Sequence, residues 1–185
     1  MNITALVRIC AAVLAASAFS VFNVSVLAQQ KKPANPTDQA VLLGQFGEWG
    51  AYRASPGGKK VCFALSKPTS AASEPAGRSR DPSYAFVSTR PAEKVRNEIS
   101  VIVGYPQKPG HDASAAIGQS TYAMYTQNDG AWVKNAAEEA QMVETMRRGS
   151  DLVVKSESAR GTKTTDTYSL KGIAQALDKV AEECK

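Results

Sequence analysis

The residues that could carry acid–base chemistry centre on one histidine. His111, the single histidine of the chain, precedes Asp112 in the stretch KPGHDAS, and serines lie nearby. A Ser-His-Asp site would use the histidine as general base, but residues adjacent in sequence need not face each other, and the chain has no G-x-S-x-G nucleophile motif. We therefore expect His111 to be a solvated loop residue. A periplasmic hydrolase that uses His111 as general base is the alternative.

Metal and cofactor chemistry has fewer candidates. A structural zinc site needs four cysteine or histidine ligands, and beyond residue 28 the sequence supplies only His111, Cys62 and Cys184. The stretch QNDG offers too few oxygen ligands for a calcium loop. The sequence contains neither a phosphate-binding glycine loop nor a dinucleotide fingerprint. It predicts no metal, no cofactor and no catalytic residue.

The first residues have the pattern of an export signal. Arg8 is followed by the apolar run ICAAVLAASAFSVF and then by Val26, Leu27 and Ala28, the order found in secretory signal peptides. The apolar run is shorter than the roughly 20 residues that span a bilayer. We expect a signal peptide over residues 1–28, no stable membrane span after its cleavage, and a periplasmic or secreted protein.

Two cysteines follow this leader, and an exported protein lives where disulfides persist. Cys62 and Cys184 are far apart in the chain, unlike the C-x-x-C spacing of redox pairs. The sequence therefore predicts one structural disulfide between Cys62 and Cys184.

Two arginines supply the best exposed candidate for a partner contact. Arg78 and Arg80 lie in GRSRDP, near the end of residues 67–82, whose Pro, Ser, Ala and Gly content predicts a long surface loop. The formal net charge of +5 is no larger than ordinary solubility requires, and we expect no nucleic-acid partner. Stacked aromatic residues with basic neighbours are one way to bind nucleic acid or sugar rings. The aromatic residues of this chain are spread over several predicted strands, where such side chains more often serve as core or cross-strand partners.

The elements that position these residues are mostly short strands. Residues 29–40 predict a flexible lead-in and residues 41–185 a single domain. The turn signals SPGGKK and QNDG predict hairpins, the first joining one strand in LLGQFGEWGAYRAS to another in KVCFALS. Helical periodicity predicts a short helix near 136–148 and a C-terminal helix capped by Ser169. Roughly seven to nine strands with two helices favour an all-β dominated, antiparallel β-sandwich.

Four blocks of the sequence carry a family resemblance: FGEWGAYRASPGGKKVCFALSKP, RDPSYAFVSTRPAEKVRNEISVIVGYP, DGAWVKNAAEEAQMVETMRRG and SARGTKTTDTYSLKGIAQALDKVAEEC. In content and order they resemble the invasion-associated locus B (IalB) family of exported bacterial proteins. The resemblance implies an immunoglobulin-like β-sandwich, export and, for some members, a contribution to host-cell entry; it implies no catalytic residue. Many members carry a further cysteine where this chain has Tyr52, Arg53 and Ala54, which leaves Cys184 as the partner of Cys62.

The leading interpretation is a non-enzymatic envelope protein that binds a protein or envelope partner and aids host-cell interaction. The hydrolase centred on His111 belongs to a different functional class. A role in envelope stress protection without a dedicated ligand is a third possibility, and the sequence does not separate it from the first.

Overall fold

Eleven β-strands form the framework of the computed structural model, which describes residues 40–185. The predicted signal peptide and residues 29–39 of the predicted lead-in lie outside the described residues. Two helices, α1 (Ala136–Arg148) and α2 (Ile173–Glu183), accompany the strands. The strands are β1 (Val41–Phe46), β2 (Trp49–Ala54), β3 (Val61–Ser66), β4 (Ser70–Glu74), β5 (Tyr84–Arg90), β6 (Val95–Ile102), β7 (Ala113–Ile117), β8 (Ser120–Gln127), β9 (Gly130–Val133), β10 (Asp151–Glu157) and β11 (Lys163–Ser169).

The strands join in one antiparallel sheet with the order β1-β2-β3-β5-β6-β9-β8-β7-β10-β11-β4. The two ends of this sheet fold back towards each other. The Trp49 indole of β2 donates a hydrogen bond to the carbonyl of Ser169, the last residue of β11, at 2.9 Å. The result fits an open, sandwich-like fold, and the predicted all-β dominated class is confirmed. Hydrogen bonding nevertheless runs unbroken across all eleven strands, where the prediction named no more than nine.

Alternation along most of the strands buries one face of the sheet. In β10, for example, Leu152 and Val154 are buried while Lys155 is exposed, as the two-residue period of a strand requires. Both helices pack on this inner face, α1 against β6, β8 and β9 and α2 against β1, β2 and β3. The main core therefore lies between the curved sheet and its helices, and a smaller cluster around Phe63 and Tyr84 is buried on the other face of β3 and β5.

The first helix agrees with its prediction, and the second begins later than expected. Asn135 caps α1 by accepting a hydrogen bond from the backbone N–H of Glu138 at 2.9 Å, and Gly149 follows its last turn. Ser169, the predicted cap of α2, is the final residue of β11 instead. The chain turns at Gly172, which has φ 93° and packs so closely on β1 that a Cβ would lie 1.9 Å from the Phe46 carbonyl oxygen. Only glycine fits there, and the helix starts after it.

The predicted disulfide is confirmed. Cys62 of β3 and Cys184, at the end of α2, are bonded across a sequence separation of 122 residues, and both are buried. Beside the bond, the Glu183 carboxylate accepts a hydrogen bond from the Arg53 guanidinium at 3.0 Å. The last helix is thereby tied to β2 and β3 at its C-terminal end.

Two predictions about strands need correction. Residues 41–54 form two strands joined by a turn at Gly47 and Glu48, rather than one strand. The predicted loop 67–82 contains β4, an edge strand that pairs with β11. The small and polar side chains of β4 are largely exposed, so its pairing depends on backbone hydrogen bonds and leaves no apolar alternation to detect. The hairpin predicted at QNDG is present between β8 and β9.

Within residues 40–185, neither helix has the length and apolar character that a membrane crossing needs.

Candidate functional site

An open cleft of about 540 Å³ lies where three segments of the chain meet. The loop predicted over residues 67–82, called the basic loop from here on, forms one wall. The residues after β6 form the second wall, and the turn between β10 and β11 forms the third. The cleft therefore brings together residues from distant parts of the sequence. Its lining consists of Ser73, Arg78, Ser79, Arg80, Asp81, Gly104, Tyr105, Pro106, Ser158, Ala159, Arg160, Thr162 and Thr164.

Arg80 forms the floor of the cleft through an ion pair with Asp166. The guanidinium contacts both carboxylate oxygens, one of them at 2.8 Å, and donates a further hydrogen bond to the Val103 carbonyl at 2.9 Å. The Asp166 side chain is 1% exposed and that of Arg80 15%. The bond to Asp166 raises the pKa of Arg80 above its usual value. The positive charge of Arg80 is therefore committed to Asp166.

A buried hydroxyl pair continues this network below the floor. The Ser83 hydroxyl donates to the Asp166 carboxylate at 3.0 Å and shares a hydrogen bond of 2.6 Å with the Tyr168 hydroxyl. Burial is the largest of the effects that raise the pKa of Tyr168, so its hydroxyl keeps its proton at neutral pH. The carboxylate beneath the cleft is thus held by the neutral hydroxyl of Ser83 and by one cation.

Tyr105 stands in the wall beside Arg80. Its hydroxyl shares a hydrogen bond of 2.5 Å with the Thr164 hydroxyl, and the Arg80 guanidinium carbon lies 5.9 Å from its ring centroid. The preceding Gly104 has φ 77°, and a Cβ there would lie 2.0 Å from the Asp81 carbonyl oxygen. This glycine lets the basic loop pack against the chain just after β6, where the backbone N–H of Asp81 donates to the Gly104 carbonyl at 3.1 Å.

Two further arginines lie at the rim of the cleft, and they differ from Arg80 in exposure and pairing. Arg78 and Arg160 are both exposed, and within residues 40–185 neither side chain takes part in an ion pair. The backbone N–H of Arg160 donates to the Ser158 hydroxyl at 3.3 Å, and that of Ala159 donates to the Pro106 carbonyl at 3.0 Å. These bonds hold the turn that presents Arg160 across the cleft from the basic loop.

The structure gives different surroundings to the two arginines that the sequence treated as one candidate contact. Arg78 is an exposed rim residue, whereas Arg80 is largely covered and paired. Sequence reasoning did not single out Arg160, and it grouped Tyr105 with the strand aromatics that typically serve as core or cross-strand partners. Arg160 lies in the motif ARG, which marks a hairpin turn, and its position opposite the basic loop follows only from the folding of β10 and β11.

His111 lies elsewhere, in an exposed turn beside a shallower depression of about 370 Å³. The neighbouring carboxylates are engaged with lysines, since Asp112 contacts Lys134 at 2.5 Å and Glu157 contacts Lys108 at 2.9 Å. In the described part of the chain the His111 side chain makes no hydrogen bond to a serine or a carboxylate. The geometry gives the hydrolase alternative no support, because a general base needs a partner that orients it.

The aromatic side chains serve mainly as core and cross-strand partners. Trp49 is fully buried. On the outer face of the sheet, Tyr52 stacks on Phe63 with ring centroids 5.4 Å apart, and Tyr125 stacks on Trp132 at 5.6 Å. These pairs join neighbouring strands, as expected of aromatic residues in an antiparallel sheet.

One comparison with known proteins gives a match. The family model described as "Invasion associated locus B (IalB) protein" matches residues 53–181, which include every lining residue of the cleft. No protein with a curated description and no solved structure matches the chain.

Proposed function

The chain belongs to the invasion associated locus B family, and from this premise we propose that it is an exported, non-enzymatic envelope protein that binds its partner through the arginine-lined cleft. Export is supported by the predicted signal peptide over residues 1–28 and by the buried disulfide, which is typical of oxidising compartments. A periplasmic or secreted location is part of the proposal.

The observation that carries the proposal is that the two rim arginines are exposed and unpaired within residues 40–185. Arg78 and Arg160 line an open cleft, and within residues 40–185 neither of them forms an ion pair with a carboxylate. Guanidinium groups placed at a concave surface without an internal partner are available for charge-assisted hydrogen bonds to a ligand. The partner therefore offers negative charge to the cleft.

Charge reversal at the rim tests this function directly. The mature chain carrying R78E and R160E is compared with wild type for capture of partners from an envelope extract. The matched control carries R96E and R148E, which alter two exposed arginines outside the cleft and change the net charge equally. We expect the rim variant to lose the captured partner and the control to retain it. Equal recovery by both variants would remove the cleft as the contact surface.

A contribution to host-cell contact is the part of the proposal that comes from the family. We expect a strain that carries the rim variant to adhere to or enter host cells less efficiently than a strain that carries the R96E/R148E control. Equal efficiency of the two strains would show that the rim arginines of the cleft have no role in invasion.

A further inference from the structure

We infer that the cleft binds an anionic saccharide, meaning a sugar ring that bears a carboxylate or sulfate group. This inference rests on the proposed function, because it names the ligand class of the same cleft. Three features of the lining carry it: the unbalanced charge, the alternation of hydroxyl and apolar surface, and the size of the space.

The charge of the cleft is positive where a ligand would touch it. Arg80 is neutralised by Asp166 beneath the floor. At the surface, Arg78 and Arg160 face a single acidic lining residue, Asp81. An anionic group in the cleft gives these guanidinium groups an acceptor, since each offers several N–H donors to carboxylate or sulfate oxygens.

The rest of the lining suits a sugar ring. The ring of Tyr105, with Pro106 and Ala159 beside it, provides apolar surface, while Ser79 and Thr162 add hydroxyl groups. A sugar has the complementary character, because its ring presents C–H groups on its faces and hydroxyls around its edge. The Tyr105 hydroxyl is bonded to Thr164, so in this arrangement Tyr105 contributes apolar surface and the two other hydroxyls contribute the polar contacts. An inorganic anion would use the arginines and leave this surface unused.

The shape of the cleft distinguishes a small ligand from an extended surface. Its volume of about 540 Å³ lies within the roughly 300–1,000 Å³ of small-molecule sites. A concave site of this size encloses one or two sugar rings, whereas the headgroups of a bilayer would contact its rim alone. Arg80 acts here as a positioning residue, since it holds the basic loop against Val103 and lies over the Tyr105 ring.

Calorimetric titration with defined probes tests the ligand class. Trigalacturonate supplies a carboxylate on each ring, a heparin-derived tetrasaccharide supplies sulfate groups in addition to carboxylates, and maltotriose is the neutral counterpart. Triglutamate and inorganic sulfate supply anionic charge without a sugar. We expect at least one of the two anionic saccharides to bind at least about tenfold more tightly than maltotriose, triglutamate and sulfate. Its affinity should fall as salt is raised, because the contacts are charged.

The variants locate the binding and keep the test falsifiable. R78Q combined with R160Q should weaken binding of the preferred saccharide by at least about tenfold, the size of one lost charge-assisted contact. The matched control R96Q/R148Q should bind like wild type. The substituted residues are exposed, so an unchanged thermal transition confirms that each variant is folded.

Three results would overturn the inference: equal binding of maltotriose, equal binding of triglutamate, or no binding of either anionic saccharide. Each of them leaves the proposed function standing if capture of the envelope partner still depends on Arg78 and Arg160. Failure of that capture experiment instead removes the cleft as the contact surface, and the saccharide inference falls with it.

Discussion

The ion pair beneath the cleft makes a quantitative prediction about the two arginines of the basic loop. Replacing Arg80 by methionine removes both contacts to Asp166 and the bond to the Val103 carbonyl. The carboxylate, 1% exposed, then keeps only the hydroxyl of Ser83 as a side-chain donor. A buried charge that loses its partner costs about 3–5 kcal/mol, and we expect the free energy of unfolding to fall by that amount.

The neighbouring arginine provides the matched control. Arg78 is exposed and, within residues 40–185, forms no ion pair, so R78M should change the free energy of unfolding by less than about 0.5 kcal/mol. D166N should cost less than R80M, about 1–3 kcal/mol, because it leaves no stranded anion and the Arg80 guanidinium is close enough to the surface to reach water.

Urea denaturation of the mature chain with its disulfide intact measures all of these values. The double variant R80M/D166N should cost at least about 1 kcal/mol less than the two single changes added together, since residues within one ion pair are energetically coupled. A cost below about 1 kcal/mol for R80M, or additivity in the double variant, would refute the assignment of Arg80 as the structural arginine of the loop.

Three further predictions concern stability. Replacing Cys62 and Cys184 by serine should lower the free energy of unfolding by about 2–5 kcal/mol in urea denaturation, because a cross-link over so long a loop restricts the unfolded chain; a loss below about 1 kcal/mol would contradict this. Burial raises the pKa of Glu139, whose carboxylate accepts the backbone N–H of Ile99 at 3.0 Å. Since the folded state then holds this proton more tightly than the unfolded state, the contribution of Glu139 is fully present below the unfolded pKa and is lost as pH rises through the folded pKa. E139Q should therefore be more stable relative to wild type at pH 7 than at pH 4, and denaturation at the two pH values would contradict this if the difference had the opposite sign. N135A should cost about 0.5–2 kcal/mol through loss of the α1 cap, measured by thermal unfolding, and an unchanged midpoint would show that the cap is dispensable.

Local signals in the sequence predicted local structure well. The helix near 136–148 carries acidic residues at its start and arginines at its end, and the turn in QNDG places Asn128 at φ 55° between two paired strands. Both features depend on neighbours within a few residues. The strand β4 was not predicted, because it has few apolar residues and therefore no alternation to detect. Its place beside β11 depends on the course of the whole sheet.

In the candidate site, too, near neighbours in the sequence do not determine the role of a residue. Arg78 and Arg80 are two residues apart and look equivalent in the motif GRSRDP. Their roles diverge because Asp166, 86 residues further on in the chain from Arg80, lies beneath one of them. Arg160 reaches the same cleft from the turn between β10 and β11. Contacts at such separations follow from strand order and register, which single-sequence patterns do not specify.

Site-specific photo-cross-linking in the native envelope tests the central claim, that the cleft is the binding surface, most directly. Ala159 lines the cleft and Ala123 lies on β8 outside it, and both are exposed. With a photoreactive benzoyl-phenylalanine placed at one or the other position, we expect a discrete adduct from position 159 and none from position 123. Loss of that adduct in the R78E/R160E background would tie it to the rim arginines. Adducts from position 123 alone, or from neither position, would contradict the account.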